Sequence, residues 1–161
     1  MSKKTIGEQY LEDARIEQAQ KLIQEALAEH SSKITGVKGS DPELVEEYEK
    51  TLKEFSEYRG GKLFFDYVGS GIGKGALVEL CDGSVKYDFI TGIGVHYFGH
   101  SHPGVVAAEI KGSATNTTMS GNLQQNSDSP KLFKLILDQA NKYDAGFDHM
   151  FMTSSGVMAA E

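Results

Sequence analysis

The sequence lacks the features that mark several large classes of protein. Its 161 residues include one cysteine, three prolines and no tryptophan. A single thiol, Cys81, cannot form an internal disulfide, so a reducing cytoplasm is the compartment we expect. No apolar run approaches the roughly 18 residues of a transmembrane helix, and the polar start at residues 1–4 predicts no secretory signal. We therefore expect no membrane partner.

Basic residues are also scarce. The chain has 16 Lys and Arg against 23 Asp and Glu, which gives a formal net charge of −7. Since neutralising phosphates requires clustered basic side chains, this balance argues against nucleic acid as a partner. With 39% apolar and 24% charged residues, the composition is typical of a globular chain. The length suits one domain or a large part of a bigger protein.

Residues 1–60 have the pattern of an N-terminal helical extension. Apolar side chains recur at helical spacing between Ile6 and Glu29 and predict a first helix. Residues Ser40–Glu43 supply an N-cap oxygen, a proline and an early carboxylate, which predict the start of a second helix that ends at Gly60-Gly61. We expect this helical pair to pack against another part of the protein.

Residues 61–115 predict a small antiparallel hairpin segment followed by a helix that begins with proline. Strand patterns cover Leu63–Val68, Ala76–Cys81 and Ser84–Ile90. The pair Asp82-Gly83, between the second and third of these, is typical of a two-residue hairpin turn in which both residues have positive φ.

Residues 116–161 predict the truncated start of a larger domain. A turn-rich segment leads to a helix that begins at Ser129, and a short buried strand is predicted at His149–Met152. Ser154–Gly156 then turns into a last helix. Because under two turns of helix are not stable alone, we expect the chain to be an N-terminal fragment of a longer polypeptide. The predicted fold class is α/β.

Two motif-like clusters do not match a familiar site. The glycine-rich run Gly69–Gly75 fails as a phosphate loop of nucleotide triphosphatases, because its lysine is followed by glycine where Ser or Thr is required. We interpret it as a flexible turn that leads into the hairpin. His96, His100 and His102 lie close together, but a structural zinc site usually needs four ligands, so we expect no metal.

The corner at Ser155-Gly156 has the clearest chemical pattern. A helix N-terminus has unpaired N–H groups and a partial positive charge, so it binds anions well. Ser155 adds a hydroxyl and Gly156 allows close approach to the backbone, which predicts a phosphate site at residues 155–157. Serine is also a common N-cap residue, so a capping role without any ligand is the alternative.

Several motifs occur in an order that resembles a known family. The series consists of Gly73-Lys74-Gly75 with Asp82-Gly83, Tyr87-Asp88-Phe89, Gly92-Ile93-Gly94-Val95, Gly99-His100-Ser101-His102-Pro103 and Phe151–Glu161. Over residues 62–161 it resembles the N-terminal part of a class III aminotransferase, a pyridoxal-phosphate (PLP) enzyme of fold type I. The resemblance implies N-terminal helices, a small antiparallel hairpin sheet, then helices and the first strand and helix of the large domain.

The resemblance also implies site residues. The family's phosphate-binding step falls on Ser155, Gly156 and Val157, although Val157 lacks a hydroxyl at the third position. Ile93 falls on a position that lines the substrate pocket, and Asn122 falls in a loop that reaches toward the other subunit's active site in a homodimer. The family's Schiff-base lysine would lie beyond residue 161. We therefore expect this chain to contain no catalytic residue, to hold PLP weakly and to be inactive alone.

Three functions remain open at this point. The favoured one is a cytoplasmic, homodimeric aminotransferase that moves an amino group from a donor such as acetylornithine or 4-aminobutyrate to a 2-oxo acid. The second is a non-catalytic interaction module that uses the acidic helices of residues 1–60. The third is a PLP-dependent aminomutase or racemase of the same fold. In each case we expect exposed apolar faces to cause self-association.

Overall fold

A computed structural model describes residues 3–115, 126–153 and 155–161. The chain divides into two compact units, residues 1–115 and residues 116–161. Helices and a small antiparallel sheet form the first unit, and helices are the regular elements described in the second. Among the described residues, no helix combines the length and the apolar character that spanning a bilayer requires.

The N-terminal segment forms two helices where the apolar pattern predicted one. Helices α1 (Ile6–Leu11) and α2 (Ala14–Ser31) are separated at Asp13. The Asp13 backbone is extended and its carboxylate accepts the N–H of Arg15, so Asp13 caps α2. The continuous helix predicted from residue 6 to residue 29 is therefore wrong. The spacing of apolar residues carries no information about an Asp side chain that accepts backbone N–H groups, so it does not predict the break at Asp13.

The capping signals of the next helix are confirmed. Helix α3 (Pro42–Arg59) begins after Asp41, whose carboxylate accepts the N–H of Glu43 at 3.0 Å. Pro42 lies in the first turn, where its missing N–H costs no hydrogen bond. Gly60 ends the helix with a φ of 75°, a left-handed conformation that glycine adopts without steric strain.

Three antiparallel strands form one sheet in the order β1-β2-β3. The strands are β1 (Gly69–Lys74), β2 (Leu77–Leu80) and β3 (Val85–Tyr87). Strands β2 and β3 lie within two of the predicted strands, which confirms the hairpin. Strand β3 is shorter than predicted, because the chain leaves the sheet at Asp88 to begin a hydrogen-bonded loop.

The first strand is displaced from its predicted position. The strand predicted at Leu63–Val68 is absent, and the flexible turn predicted at Gly69–Gly75 is wrong, because the glycine-rich run itself pairs with β2. The register shifts between Gly69 and Gly73, where Gly71 has a φ of 95°. A residue without a β-carbon adopts this left-handed conformation without steric strain. Glycine at this position therefore permits the irregular strand.

The connection between β2 and β3 consists of residues 81–84 and is not the predicted two-residue turn. The N–H of Gly83 donates to the Leu80 carbonyl, and the N–H of Leu80 donates to the Ser84 carbonyl, both at 2.9 Å. Gly83 has a φ of 74°, whereas Asp82 is not among the positive-φ residues. The buried Asp82 carboxylate accepts the N–H and the hydroxyl of Ser84, and these side-chain bonds decide the turn type.

The N-terminal segment packs on this hairpin and forms the core with it. Among the residues that the structure describes, the buried apolar side chains are Ile34, Tyr48, Leu80 and Val85. Lys38 pairs with Val85 through two backbone hydrogen bonds of 3.0 Å. The Tyr48 hydroxyl donates to the carbonyl of Asp66 and accepts the N–H of Val68. Helix α3 and the residues before it therefore belong to the same packed unit as the sheet.

Two further elements follow the sheet within the first unit. A single turn, α4 (Thr91–Gly94), precedes α5 (Pro103–Ser113), which begins at the proline that the sequence pattern indicated. Helix α5 packs against α2, and the Gln24 side-chain amide donates to the Pro103 carbonyl at 2.9 Å. This contact fixes the segment that leads into α5 relative to the N-terminal helices.

The second unit contains short helical elements. They are α6 (Ser129–Ala140), one turn of 3₁₀-helix (Asn141–Tyr143) and α7 (Gly156–Ala160). Helix α6 begins at the predicted serine. The strand predicted at His149–Met152 is wrong: no strand is present among the described residues of this unit, and Phe151 and Met152 are exposed. A buried strand requires a neighbour for its backbone N–H and carbonyl groups, which this unit does not provide.

Candidate functional site

A carboxylate holds the base of the loop that follows β3. Asp88 Oδ1 accepts the N–H groups of Ile90 at 2.9 Å and Thr91 at 2.8 Å. Its other oxygen, Oδ2, lies 2.7 Å from His100 Nε2. The side chains of His100 and Asp88 are only 14% and 15% exposed. One largely shielded carboxylate therefore joins the two ends of the loop formed by residues 88–100.

Hydrogen bonding keeps this carboxylate ionised. The hydrogen bond with His100 lowers the pKa of Asp88 below its ordinary value, partial burial acts in the opposite direction, and the N–H groups of Thr91 and Ile90 lower the pKa further. Because an ionised carboxylate has acceptor sites on both oxygens, it can bind all three donors at once.

The His100 end of the loop is anchored to β1 and to the residue after it. The backbone of His100 pairs with Gly75 through hydrogen bonds of 2.8 and 3.1 Å, and the Ser101 hydroxyl donates to the Gly73 carbonyl at 2.6 Å. A β-carbon on Gly73 would lie 2.7 Å from the β-carbon of His100, and one on Gly99 would lie 2.9 Å from the α-carbon of Gly75. Gly73 and Gly99 therefore permit close packing of β1 and Gly75 against the segment that contains His100.

Ile93, the residue predicted to contact substrate, lies on this loop and is 93% exposed. The backbone around it is unusual, since Thr91, Gly92, Ile93 and Gly94 all have positive φ, with values of 52°, 58°, 56° and 92°. Further exposed apolar side chains of the loop are Phe89, Ile90, Val95, Tyr97 and Phe98. The loop therefore presents an apolar surface on a backbone that is hydrogen-bonded at its base.

A cavity of about 570 Å³ lies between α2 and residues 98–103. Its walls include the apolar side chains of Leu27 and Phe98 together with Lys21 and Lys74. Both its volume and its mixture of apolar walls with a few polar groups are typical of sites for small molecules.

The three neighbouring histidines have packing and hydrogen-bonding roles. The rings of His96 and His100 lie in contact, with centroids 4.0 Å apart and an angle of 31° between their planes, and Nε2 of His100 is hydrogen-bonded to Asp88. The ring of His102 lies beside Phe98, with 5.5 Å between the centroids. In the parts of the chain that the structure describes, no group of three or more His, Cys, Asp or Glu side chains is arranged to hold a metal ion.

The Ser155 corner begins helix α7. Ser155 Oγ accepts the N–H of Met158 at 3.2 Å, which is the capping interaction. Gly156 is exposed, with no heavy atom within 4 Å of a β-carbon built on it, and Val157 is 70% exposed. A capping hydroxyl still has its own proton to donate. The corner therefore has room for a phosphate group next to its backbone, and the capping role does not prevent binding.

The predicted site residues are distributed over both units. Ile93 belongs to the first unit and residues 155–157 belong to the second, while Asn122 lies outside the described residues. Asp88 and His100 stand in the motifs noted above, but sequence reasoning did not assign them a role. The available signal was an aspartate between two aromatic residues near the end of the predicted strand Ser84–Ile90. Asp side chains at turns commonly accept backbone N–H groups two and three residues later.

Comparison with known proteins agrees with the order of the motifs. A profile of the class-III aminotransferase family matches residues 60–161, more than half of the chain. Acetylornithine aminotransferase from Methanocaldococcus jannaschii is 37% identical over 89 residues, which are 55% of this chain and 21% of that protein. The aligned part of the chain thus spans about a fifth of this curated relative's length. No solved structure matches the chain significantly.

Proposed function

The chain belongs to the class-III aminotransferase family, and on this premise we propose that the whole protein is a PLP-dependent aminotransferase of fold type I. It transfers an amino group from an amino donor to a 2-oxo acid. The single observation that carries this proposal is the family match, which includes both the Asp88–His100 loop and the Ser155 corner.

An ω-amino acid is the donor class that we propose. Similarity to an acetylornithine aminotransferase supports acetylornithine, and 4-aminobutyrate is a second donor of the same class. Ile93 contacts the apolar part of the donor, since its side chain is exposed and its loop is held at the base. In this proposal the whole protein is a cytoplasmic homodimer, and the loop that contains Asn122 reaches toward the active site of the second subunit.

Ser155, Gly156 and Val157 hold the phosphate group of PLP in this proposal. The capping serine, the exposed valine and the open space beside Gly156 fit an anion at the start of α7. When bound, PLP supplies the electron sink for carbanion chemistry at the amino donor. The role of these three residues is to bind and orient its phosphate group.

The 161-residue chain is inactive by itself in this proposal. Its aligned part corresponds to about a fifth of the aminotransferase that it resembles. In this proposal the lysine that binds PLP covalently belongs to another part of the whole protein. Lys74, which lines the cavity beside α2, is exposed and is not proposed as that lysine.

Spectroscopy of the whole protein with PLP tests the proposed function. We expect acetylornithine or 4-aminobutyrate to convert the absorbance of the bound cofactor, and a 2-oxo acid to reverse the change. The 161-residue chain mixed with one equivalent of PLP should show no absorbance band beyond that of free PLP. A whole protein that binds PLP but responds to no amino donor would contradict the aminotransferase proposal, and racemisation of a single amino acid would favour the racemase alternative.

A further inference from the structure

The backbone of the turn α4 (Thr91–Gly94) has a conformation that is unfavourable for two of its four residues. Its four consecutive residues all have positive φ, and two of them, Thr91 and Ile93, are β-branched. Positive φ in a β-branched residue is a true outlier, since the β-carbon and its branch crowd the backbone. Residues in such regions persist only where the surrounding structure holds them, and they concentrate at ligand-binding sites.

The Asp88 carboxylate supplies the hydrogen bonds that hold the entry to this turn. It accepts the N–H of Ile90 and the N–H of Thr91, the first of the left-handed residues. Within the turn, the N–H of Ile93 donates to the Ile90 carbonyl and the N–H of His96 donates to the Thr91 carbonyl, both at 2.9 Å. Loss of the carboxylate would leave the turn with its internal bonds alone.

His100 connects this carboxylate to the sheet. Its ring nitrogen lies 2.7 Å from Asp88 Oδ2, its ring packs on His96, and its backbone pairs with Gly75 next to β1. The N–H of Asp88 donates to the Ala76 carbonyl at 2.8 Å, so both members of the pair are tied to the hairpin. The Asp88–His100 pair therefore fixes the position of the turn relative to the sheet.

Burial of Ile93 does not stabilise this conformation. Its side chain is 93% exposed, and among the first unit's buried apolar residues none belongs to the turn. The strained backbone thus places an apolar side chain in solvent, which is unfavourable unless that side chain meets a ligand or another protein surface.

We propose that Asp88 and His100 are positioning residues that hold the turn Thr91–Gly94, and with it Ile93, in the conformation that contacts the amino donor. This proposal rests on the proposed function, since the donor is the molecule that Ile93 would contact. Neither side chain contacts the reacting atoms in this proposal. Their effect is exerted through the backbone of the turn.

Amide hydrogen exchange of the 161-residue chain tests the positioning without any enzyme assay. In Asp88→Ala and His100→Ala, we expect the amides of Ile93 and His96 to exchange about tenfold faster, which corresponds to about 1.4 kcal/mol. The amides of Leu80 and Val85 in the hairpin report any general loss of structure and should not change. His102→Ala, an exposed histidine outside the Asp88 pairing, is the matched control.

Kinetics of the whole enzyme test whether the position of the turn matters for the donor. We expect Asp88→Ala to raise KM for the amino donor about tenfold with a small change in kcat and no change in PLP affinity. Asp88→Asn keeps an acceptor for the N–H groups of Ile90 and Thr91, so it should restore most of the wild-type KM.

Each outcome decides the proposal. Unchanged exchange at Ile93 and His96 would overturn it, and so would faster exchange with an unaltered KM, since the pair would then be structural only. If the whole protein binds PLP but has no aminotransferase activity, the proposed function fails. The donor part of this proposal then fails with it, and the exchange result alone decides whether Asp88 and His100 hold the turn.

Discussion

Asp82 is a buried carboxylate whose surroundings are made of hydroxyl and amide donors. Its Oδ1 accepts the hydroxyl and the N–H of Ser84 at 2.6 and 2.9 Å, and its Oδ2 accepts the hydroxyl of Ser40 at 2.7 Å. Burial would raise the pKa of Asp82, but the hydrogen bonds from Ser84 and Ser40 outweigh burial and lower it. The carboxylate therefore links the start of α3 to the hairpin in its ionised form.

The ionisation of Asp82 predicts acid sensitivity of the first unit. Since the folded-state pKa lies below the ordinary value of 3.8, this stabilisation is fully present above that pH and is lost as the pH falls through the folded-state pKa. We expect Asp82→Asn to lower the free energy of unfolding by about 2 kcal/mol at pH 6. Between pH 5 and pH 3, the free energy of unfolding should fall less in Asp82→Asn than in wild type. Urea unfolding of both proteins at each pH measures it.

Glu109→Gln is the control for that experiment, because Glu109 is an exposed carboxylate on α5. It should reproduce the wild-type stability and its dependence on pH. Equal acid sensitivity of wild type and Asp82→Asn would show that other carboxylates dominate the acid response.

Residues Ser155 and Val157 allow a second prediction at the scale of single side chains. In the whole protein, Ser155→Ala should weaken PLP binding about tenfold, because it removes a hydroxyl donor to a charged phosphate. Val157→Thr restores a hydroxyl at the third position and should bind PLP at least as tightly as wild type. Both affinities are measured by absorbance titration of the cofactor-free protein.

Ser129→Ala is a matched control, since Ser129 also begins a helix of the second unit but bonds to Asn126. It should leave the affinity for PLP unchanged. If Ser155→Ala behaves like Ser129→Ala, the serine acts as a cap only and the phosphate site is elsewhere.

At the scale of elements, the glycine-rich strand β1 is a packing surface for the His100 segment. A β-carbon on Gly73 would lie 2.6 Å from the Leu77 carbonyl oxygen and 2.7 Å from His100. Contacts this short require backbone to move, because neither neighbour is the end of a flexible side chain. The lack of a side chain at Gly73 therefore allows Ser101 to approach within 2.6 Å of the Gly73 carbonyl.

Gly73→Ala should consequently separate β1 from the His100 segment. We expect a loss of about 2 kcal/mol in the free energy of unfolding, the usual cost of overpacking a close contact. Urea unfolding followed by circular dichroism measures it. Gly36→Ala is the control, since no heavy atom lies within 4 Å of its β-carbon position and its φ is not positive. Equal stability of the two variants would show that β1 and His100 do not pack closely.

At the scale of the whole molecule, the second unit exposes more apolar surface than an isolated unit normally does. None of its described residues is buried. Its exposed large apolar side chains are Leu132, Leu135, Ile136, Tyr143, Phe147, Phe151, Met152, Val157 and Met158. Large exposed apolar side chains in such number favour contact with another protein surface.

We therefore predict that the 161-residue chain associates with itself. Its sedimentation coefficient should rise with protein concentration, because apolar surface is removed from water when copies meet. Leu135→Glu places a charge on the exposed apolar face of α6 and should weaken the association, whereas Lys142→Glu, at an exposed polar position, should not. A single monomeric species at every concentration would contradict this prediction.

Local signals determined the helices more accurately than the strands. The caps at Asp41 and Gly60 and the proline at the start of α5 act through hydrogen bonds and φ values within a few residues, so the sequence shows them directly. The strand patterns at Leu63–Val68 and His149–Met152 contain suitable residues. They form no strand, because a strand also needs a partner at the right distance.

The amino-acid sequence by itself determined the helix boundaries at Asp41, Gly60 and Pro103, the position of the hairpin and the order of motifs that identifies the family. Only the tertiary structure decided that a run of glycines is a strand and that Asp88 and His100 hold the turn that carries Ile93. The physical reason is the range of the interactions. Caps depend on groups within about four residues. The pairing of β1 with β2, the bond between Ser101 and Gly73 and the Asp88–His100 pair join segments that are separate in the sequence pattern and that folding brings into contact.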